Sequence, residues 1–170
     1  MLKHFNLIRR AVSGLSVALV TSAFFLLQGQ PAAAAASRIE NFDGQSWSRL
    51  QKELPRPSVV VFSTTDCSHC PAIIAALGQQ LKNRQPMVPL VVVVMDGDGQ
   101  EDLLQEPHYL PANRLFVFKG QTAALQFSVS PAWRGVTPYV ALLPRAGPVS
   151  LILGKPSAQE VGSWLKGGQK

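Results

Sequence analysis

The sequence predicts an α/β domain, a central mixed sheet with flanking helices, and three observations carry that prediction. Two short runs, Ser58–Ser63 (SVVVFS) and Val88–Met95 (VPLVVVVM), are apolar almost throughout and rich in valine. Such runs are too short for helices and read as strands buried on both faces. Between them, Pro71–Arg84 (PAIIAALGQQLKNR) carries apolar residues at helical spacing, which makes a β-helix-β unit and implies a parallel strand pair. Nearer the C-terminus, Tyr139–Leu143 and Val149–Leu153 flank a Pro-Arg-Ala-Gly-Pro turn and read as an antiparallel hairpin.

Taken in order, the chain begins with a basic stretch holding Lys3, Arg9 and Arg10, then an apolar run from Ala11 to Leu27, then Gly29, Pro31 and the alanines 32–36. That succession has the form of a secretory signal peptide, residues 1–36, with cleavage expected after about Ala36. The competing reading is an uncleaved N-terminal helix that anchors the protein, since the apolar run approaches the ~20 residues a membrane span needs. No cysteine lies near this segment, so a lipoprotein anchor is not expected. Residues 37–57 read as an N-terminal extension with a short helix, capped by Ser46 and burying Trp47, Leu50 and Leu54, with Pro55 and Pro57 ending it.

The domain proper is expected over 58–170. After the second strand, Asp96–Asn113 reads as a loop with a short helix, Leu115–Phe118 as a brief strand and Thr122–Val129 as a short helix. Gly154 and Pro156 break the chain before a terminal amphipathic helix, Ser157–Lys166. Gly78 reads as a tolerated weakness in its helix.

Charge says less than it first suggests. The whole chain has 16 Lys and Arg against 10 Asp and Glu, a formal +6. Removing Lys3, Arg9 and Arg10 takes the 16 basic residues to 13 against the same 10 acids, a formal +3. The remaining cations are scattered rather than clustered on one run, so nucleic acid is not an expected partner.

The two cysteines are more informative. Cys67-Ser68-His69-Cys70 follows a buried strand and opens a helix. Cysteines at this spacing can close a disulfide across one turn, and a helix N-terminus favours thiolate, the nucleophile of disulfide exchange. Cys67 is expected to be the attacking sulfur and Cys70 the resolving one. His69 as imidazolium would stabilise the Cys67 thiolate, whereas the Asp66 carboxylate opposes it unless Asp66 serves mainly as the helix N-cap. A purely structural disulfide is the competing use of the pair, but so small a loop contributes little chain entropy. Metal binding is the other, because Cu(I) and zinc accept thiolate and imidazole.

Together these residues resemble the thioredoxin superfamily over roughly Ser58 to Leu165. The resemblance rests on the strand, CxxC and helix, the second strand, and Gly135-Val136-Thr137-Pro138 before the hairpin and terminal helix. It implies a thioredoxin-like fold in which Pro138 is a cis-proline lying against the CxxC and Thr137 the residue before it. The ending is similar to the exported TlpA/ResA-like thiol:disulfide oxidoreductases, some of which serve cytochrome c maturation. The His-containing motif resembles DsbA-like oxidants, and Thr137 the DsbC-like isomerases. Where relatives carry an acid to accept the proton of the second cysteine, this chain has Val61 and Ile73.

The resemblance therefore implies an exported, periplasmic enzyme that needs no cofactor and works by a mixed disulfide. Its expected partners are protein thiols and disulfides, with a membrane redox protein as a further candidate, and it is expected to be monomeric. The alternative is a copper-handling metallochaperone using the same cysteines. Three further features have plainer expectations: His108 as a loop residue, Asp96–Asp102 as a turn with an acid-rich helix start, and Trp47, Trp133 and Trp164 as core or shelf residues. The alternative for Trp133-Arg134 is the border of the substrate groove.

Overall fold

The computed structural model describes residues 39–167, so the expected signal peptide lies outside the described residues. A single six-stranded sheet runs through the molecule. Its strands are β1 (Ile39–Phe42), β2 (Ser58–Ser63), β3 (Leu90–Val94), β4 (Arg114–Phe118), β5 (Tyr139–Leu143) and β6 (Ser150–Leu153), in the spatial order β1-β4-β3-β2-β5-β6. The first four are mutually parallel, β5 runs antiparallel to β2, and β6 runs antiparallel to β5. The mixed sheet is as expected, and so is the parallel pairing of β2 with β3.

Valine repetition in β2 and β3 is explained by their central place. Every residue of both strands is buried, and successive side chains point to opposite faces. Val59 and Val61 face a core built with Ile73, Ile74, Leu77 and Leu81 of α2 (Cys70–Leu81) and Val161 and Trp164 of α4 (Ala158–Leu165). Val60 and Phe62 face the other core, with Trp47 and Leu50 of α1 (Ser46–Glu53) and Leu125 and Val129 of α3 (Thr122–Val129).

Several boundaries differ from the sequence expectation, each for a local reason. Residues 37–57 supply an edge strand as well as a helix: β1 pairs in parallel with β4, and Arg114 binds Glu40 in a two-pronged ion pair across that seam. Ser46 is the first helical residue rather than the cap. Its hydroxyl accepts the Asp43 N–H at 2.8 Å and an Arg49 N–H at 2.8 Å, so it braces the turn before the helix. α2 stops at Leu81, short of Arg84, as the chain turns toward Pro86 and β3. The 96–113 loop holds two 3-10 helices, Leu103–Gln105 and Pro107–Tyr109, the second packed against α2.

α4 is pinned at its start by a reciprocal capping box. The Glu160 N–H donates to the Ser157 hydroxyl at 3.1 Å, and the Ser157 N–H donates to the Glu160 carboxylate at 2.7 Å, which holds that carboxyl below its usual pKa. Ser157→Ala is expected to destabilise the domain by about 1 kcal/mol, read as a lower urea midpoint at unchanged slope. An unchanged midpoint would mean that the helix is held by Trp164 alone, whose indole N–H donates to the Leu143 carbonyl at 2.9 Å.

Candidate active site

The cysteine pair lies where β2 hands over to α2. Cys70 is the first residue of α2 and is fully buried in the core that α2 shares with the sheet, whereas Cys67 is only partly buried at its edge. The two sulfurs are joined in a disulfide at 2.06 Å, with Cα atoms 5.4 Å apart. The turn closes locally, because the Cys70 N–H donates to the Cys67 carbonyl at 3.2 Å and the Cys67 N–H to the Thr64 carbonyl at 3.3 Å. Asp66, Ser68 and His69 are exposed around it. Asp66 does not cap the helix: the N-cap position is His69, without a side-chain cap. The carboxylate of Asp66 therefore stands in solvent directly before Cys67.

What holds this turn is a residue that sequence reasoning assigned to another role. Asp96, which follows β3, accepts the Thr65 N–H at 2.8 Å and the Thr65 hydroxyl at 2.7 Å. Because β2 and β3 are adjacent and parallel, their C-terminal ends meet at one edge, so residues 31 apart in sequence become neighbours. Beneath them, burial pushes the Tyr109 phenol above its usual pKa, the Ser63 hydroxyl partly offsetting this.

The segment before β5 supplies the opposite wall. The Thr137–Pro138 peptide is cis and Pro138 is buried at the start of β5. The Thr137 and Thr64 hydroxyls are 3.3 Å apart, which joins this loop to the cysteine turn. Trp133 does not border a groove. It is 6% exposed, stacked on Tyr139 at 4.6 Å, and its indole N–H donates to the Val136 carbonyl at 3.0 Å. Its role is to seat the loop from the core side. Between the loop and α2 lies a cleft of about 260 Å³ lined by His69, Ala72, Ile73, Pro138, Gly154 and Lys155. His69, which lies between the two cysteines in the chain, and Pro138 thus share one cleft, while His108 sits apart, 3.2 Å from Glu106.

A parallel β-helix-β unit, a CxxC at the start of its helix, and a cis-proline opening the neighbouring antiparallel strand settle the architecture. The fold is thioredoxin-like. No protein-family model matches the chain, and no curated protein matches it by sequence. Solved structures similar to it include a thioredoxin-related protein from Neisseria meningitidis serogroup B, 18% identical, with 68% of this chain and 87% of that one covered at a TM-score of 0.48. A second is Mycobacterium tuberculosis DsbF in mixed oxidised and reduced forms, 17% identical, with 70% and 85% covered at 0.49. A third is a thio-disulfide isomerase from Thermus thermophilus, 18% identical, with 71% and 84% covered at 0.49. Within this thioredoxin-like frame, Cys67, Cys70, His69, Thr137 and Pro138 converge on one end of the sheet. Asp66 stands at the rim of the same site.

Proposed function

We propose that this chain is an exported thiol–disulfide oxidoreductase that exchanges disulfides with protein substrates through Cys67 and Cys70, without a cofactor. The single observation that carries this reading is the unequal placement of two linked sulfurs. Cys67 is partly exposed, Cys70 is fully buried, and His69 between them in the chain lines a cleft.

An incoming thiolate attacks the Cys67 sulfur; a mixed disulfide forms between the partner and Cys67 while Cys70 leaves as thiolate. A second partner thiolate then attacks the mixed disulfide, which releases the partner oxidised and leaves both cysteines reduced. In the opposite direction, Cys67 thiolate attacks a partner disulfide and Cys70 then attacks Cys67, releasing the partner reduced. His69 and Asp66, of opposite charge preference, tune the poise of Cys67. The Thr137–Pro138 loop holds the partner chain, with Thr137 presenting backbone along which that chain can lie as an added strand.

Export is supported by the basic, apolar and alanine-rich succession of residues 1–36, and places the work in the periplasm, whether the N-terminus is cleaved or retained as an anchor. Disulfide maintenance there, or cytochrome c maturation, are the tasks such chemistry serves; a membrane redox protein is the natural source or sink of electrons, and a monomer suffices for each step. The copper-handling alternative would use the same two sulfurs in their reduced form, since Cu(I) accepts thiolate ligands; a copper-free protein with fast disulfide exchange would dispose of it.

The test is covalent trapping. In Cys70→Ala, mixed disulfides with host proteins are expected to accumulate through Cys67 and to vanish on reduction. Cys67→Ala is expected to trap none, because the buried Cys70 cannot be reached. Absence of adducts in the first variant, or equal trapping by both, would count against the proposal.

A further inference from the structure

The mouth of the cysteine turn is electrically divided. On one side stand carboxylates, Asp66 directly before Cys67 and Asp96 on Thr65. On the other, the cleft between α2 and the end of β6 is floored by Ala72, Ile73 and Pro138, and its polar side chains are His69 and Lys155. No carboxylate lines it. Lys155 is exposed and, like several other cations, forms no ion pair among the described residues; what sets it apart is its place in the cleft lining.

Val136, two residues before the Pro138 that lines this cleft, is 54% exposed. The Gly154 N–H is already committed to the Pro138 carbonyl at 2.8 Å. That wall therefore discriminates by apolar contact and by the Lys155 charge rather than by a free Gly154 donor.

We infer that Lys155 is a specificity-determining residue. It selects extended protein segments that place an apolar side chain in the cleft and a carboxylate against its ammonium, close to the cysteine being exchanged. This inference rests on the redox function proposed above, and it narrows the substrate class to acidic-apolar segments. An exposed ion pair is weak in water and is screened by salt. The expected discrimination is accordingly modest, and it includes loss of attraction together with gain of repulsion when the acid becomes a base.

The experiment measures exchange rates of the full-length protein, with Cys67 and Cys70 first reduced, against symmetric disulfides of short peptides. Each peptide has one cysteine beside a leucine, and glutamate, glutamine or lysine placed two residues before or two residues after the cysteine. In at least one placement the glutamate peptide is expected to react about threefold to tenfold faster than the lysine peptide at low salt. That ratio is expected to fall toward one in concentrated salt and to invert in Lys155→Glu. Because the ratio is taken within each protein, a general loss of rate does not imitate the effect. Exchange with every peptide at a ratio that Lys155→Glu leaves unchanged would overturn the inference and leave the redox reading standing. Absence of exchange with any peptide would overturn both.

Discussion

Phe62→Ala is expected to remove about 3–5 kcal/mol of stability, a large part of the ~5–15 kcal/mol typical of a domain. Phe62 is fully buried and its ring meets Trp133 at 4.9 Å, Phe42 at 5.8 Å, Trp47 at 6.0 Å and Tyr139 at 6.4 Å between centroids. Those neighbours come from β1, α1, the loop before β5, and β5 itself. Collapse of the cavity would require several separately anchored elements to move together, and that is why the cost belongs near the upper end for core truncations. Urea unfolding checks it: the midpoint should drop sharply while the slope stays constant. A loss below about 1 kcal/mol would mean that the aromatic cluster does not hold the sheet face. Phe62→Leu, closer in volume, is expected to cost far less. A second readout follows from position. Trp133 seats the Val136 carbonyl from this same cluster, so the alanine variant should also exchange disulfides more slowly under conditions where it remains folded.

Gly78→Ala is expected to destabilise, against the usual sign for a glycine inside a helix. Alanine ordinarily gains roughly 0.5–1 kcal/mol there through a smaller entropy loss. Here the added Cβ would stand 2.5 Å from the Pro111 Cβ and 3.2 Å from its Cγ. A proline ring cannot swing aside as a long side chain does, so either α2 or the segment after the second 3-10 helix must shift. Overpacking of this kind costs about 1–3 kcal/mol, and against an unyielding ring it belongs at the upper end, leaving a net loss of up to about 2.5 kcal/mol. Calorimetry decides the sign: a lower Tm is expected for Gly78→Ala, and a higher one would show that the contact yields.

Central elements were legible from sequence because their signals are local. Burial on both faces requires apolar residues at consecutive positions, and β2 and β3 announce it in SVVVFS and LVVVV. The cysteine turn was legible from its spacing along the chain, and Pro138 from the resemblance of Gly135-Val136-Thr137-Pro138 and the following strand to thioredoxin-like proteins. What was not legible depends on partners remote in sequence. β1 is a four-residue edge strand that begins partly exposed, and its reason to exist is β4, including an Arg114–Glu40 pair 74 residues apart. Asp96 read as part of an acidic turn, since nothing near it in the chain points to Thr65. Gly78 read as a weakness because the proline that requires it lies in another element. Trp133, by contrast, read as core first and as groove border only second, and its ring does turn into the aromatic core.

The double hydrogen bond from Thr65 to Asp96 bears on how electrons can move through this protein. It fastens the backbone before Cys67 to the sheet, and the helix beginning at Cys70 is fastened independently by its buried apolar face. With both flanks tethered to the same rigid scaffold, the sulfurs can separate and rejoin by side-chain rotation while the chain around them stays in place. Under the exchange proposed above, the oxidised and reduced forms are then expected to offer partners almost the same surface, which comparison of backbone amide chemical shifts in the two forms would check. A partner would tell them apart by the sulfur chemistry itself.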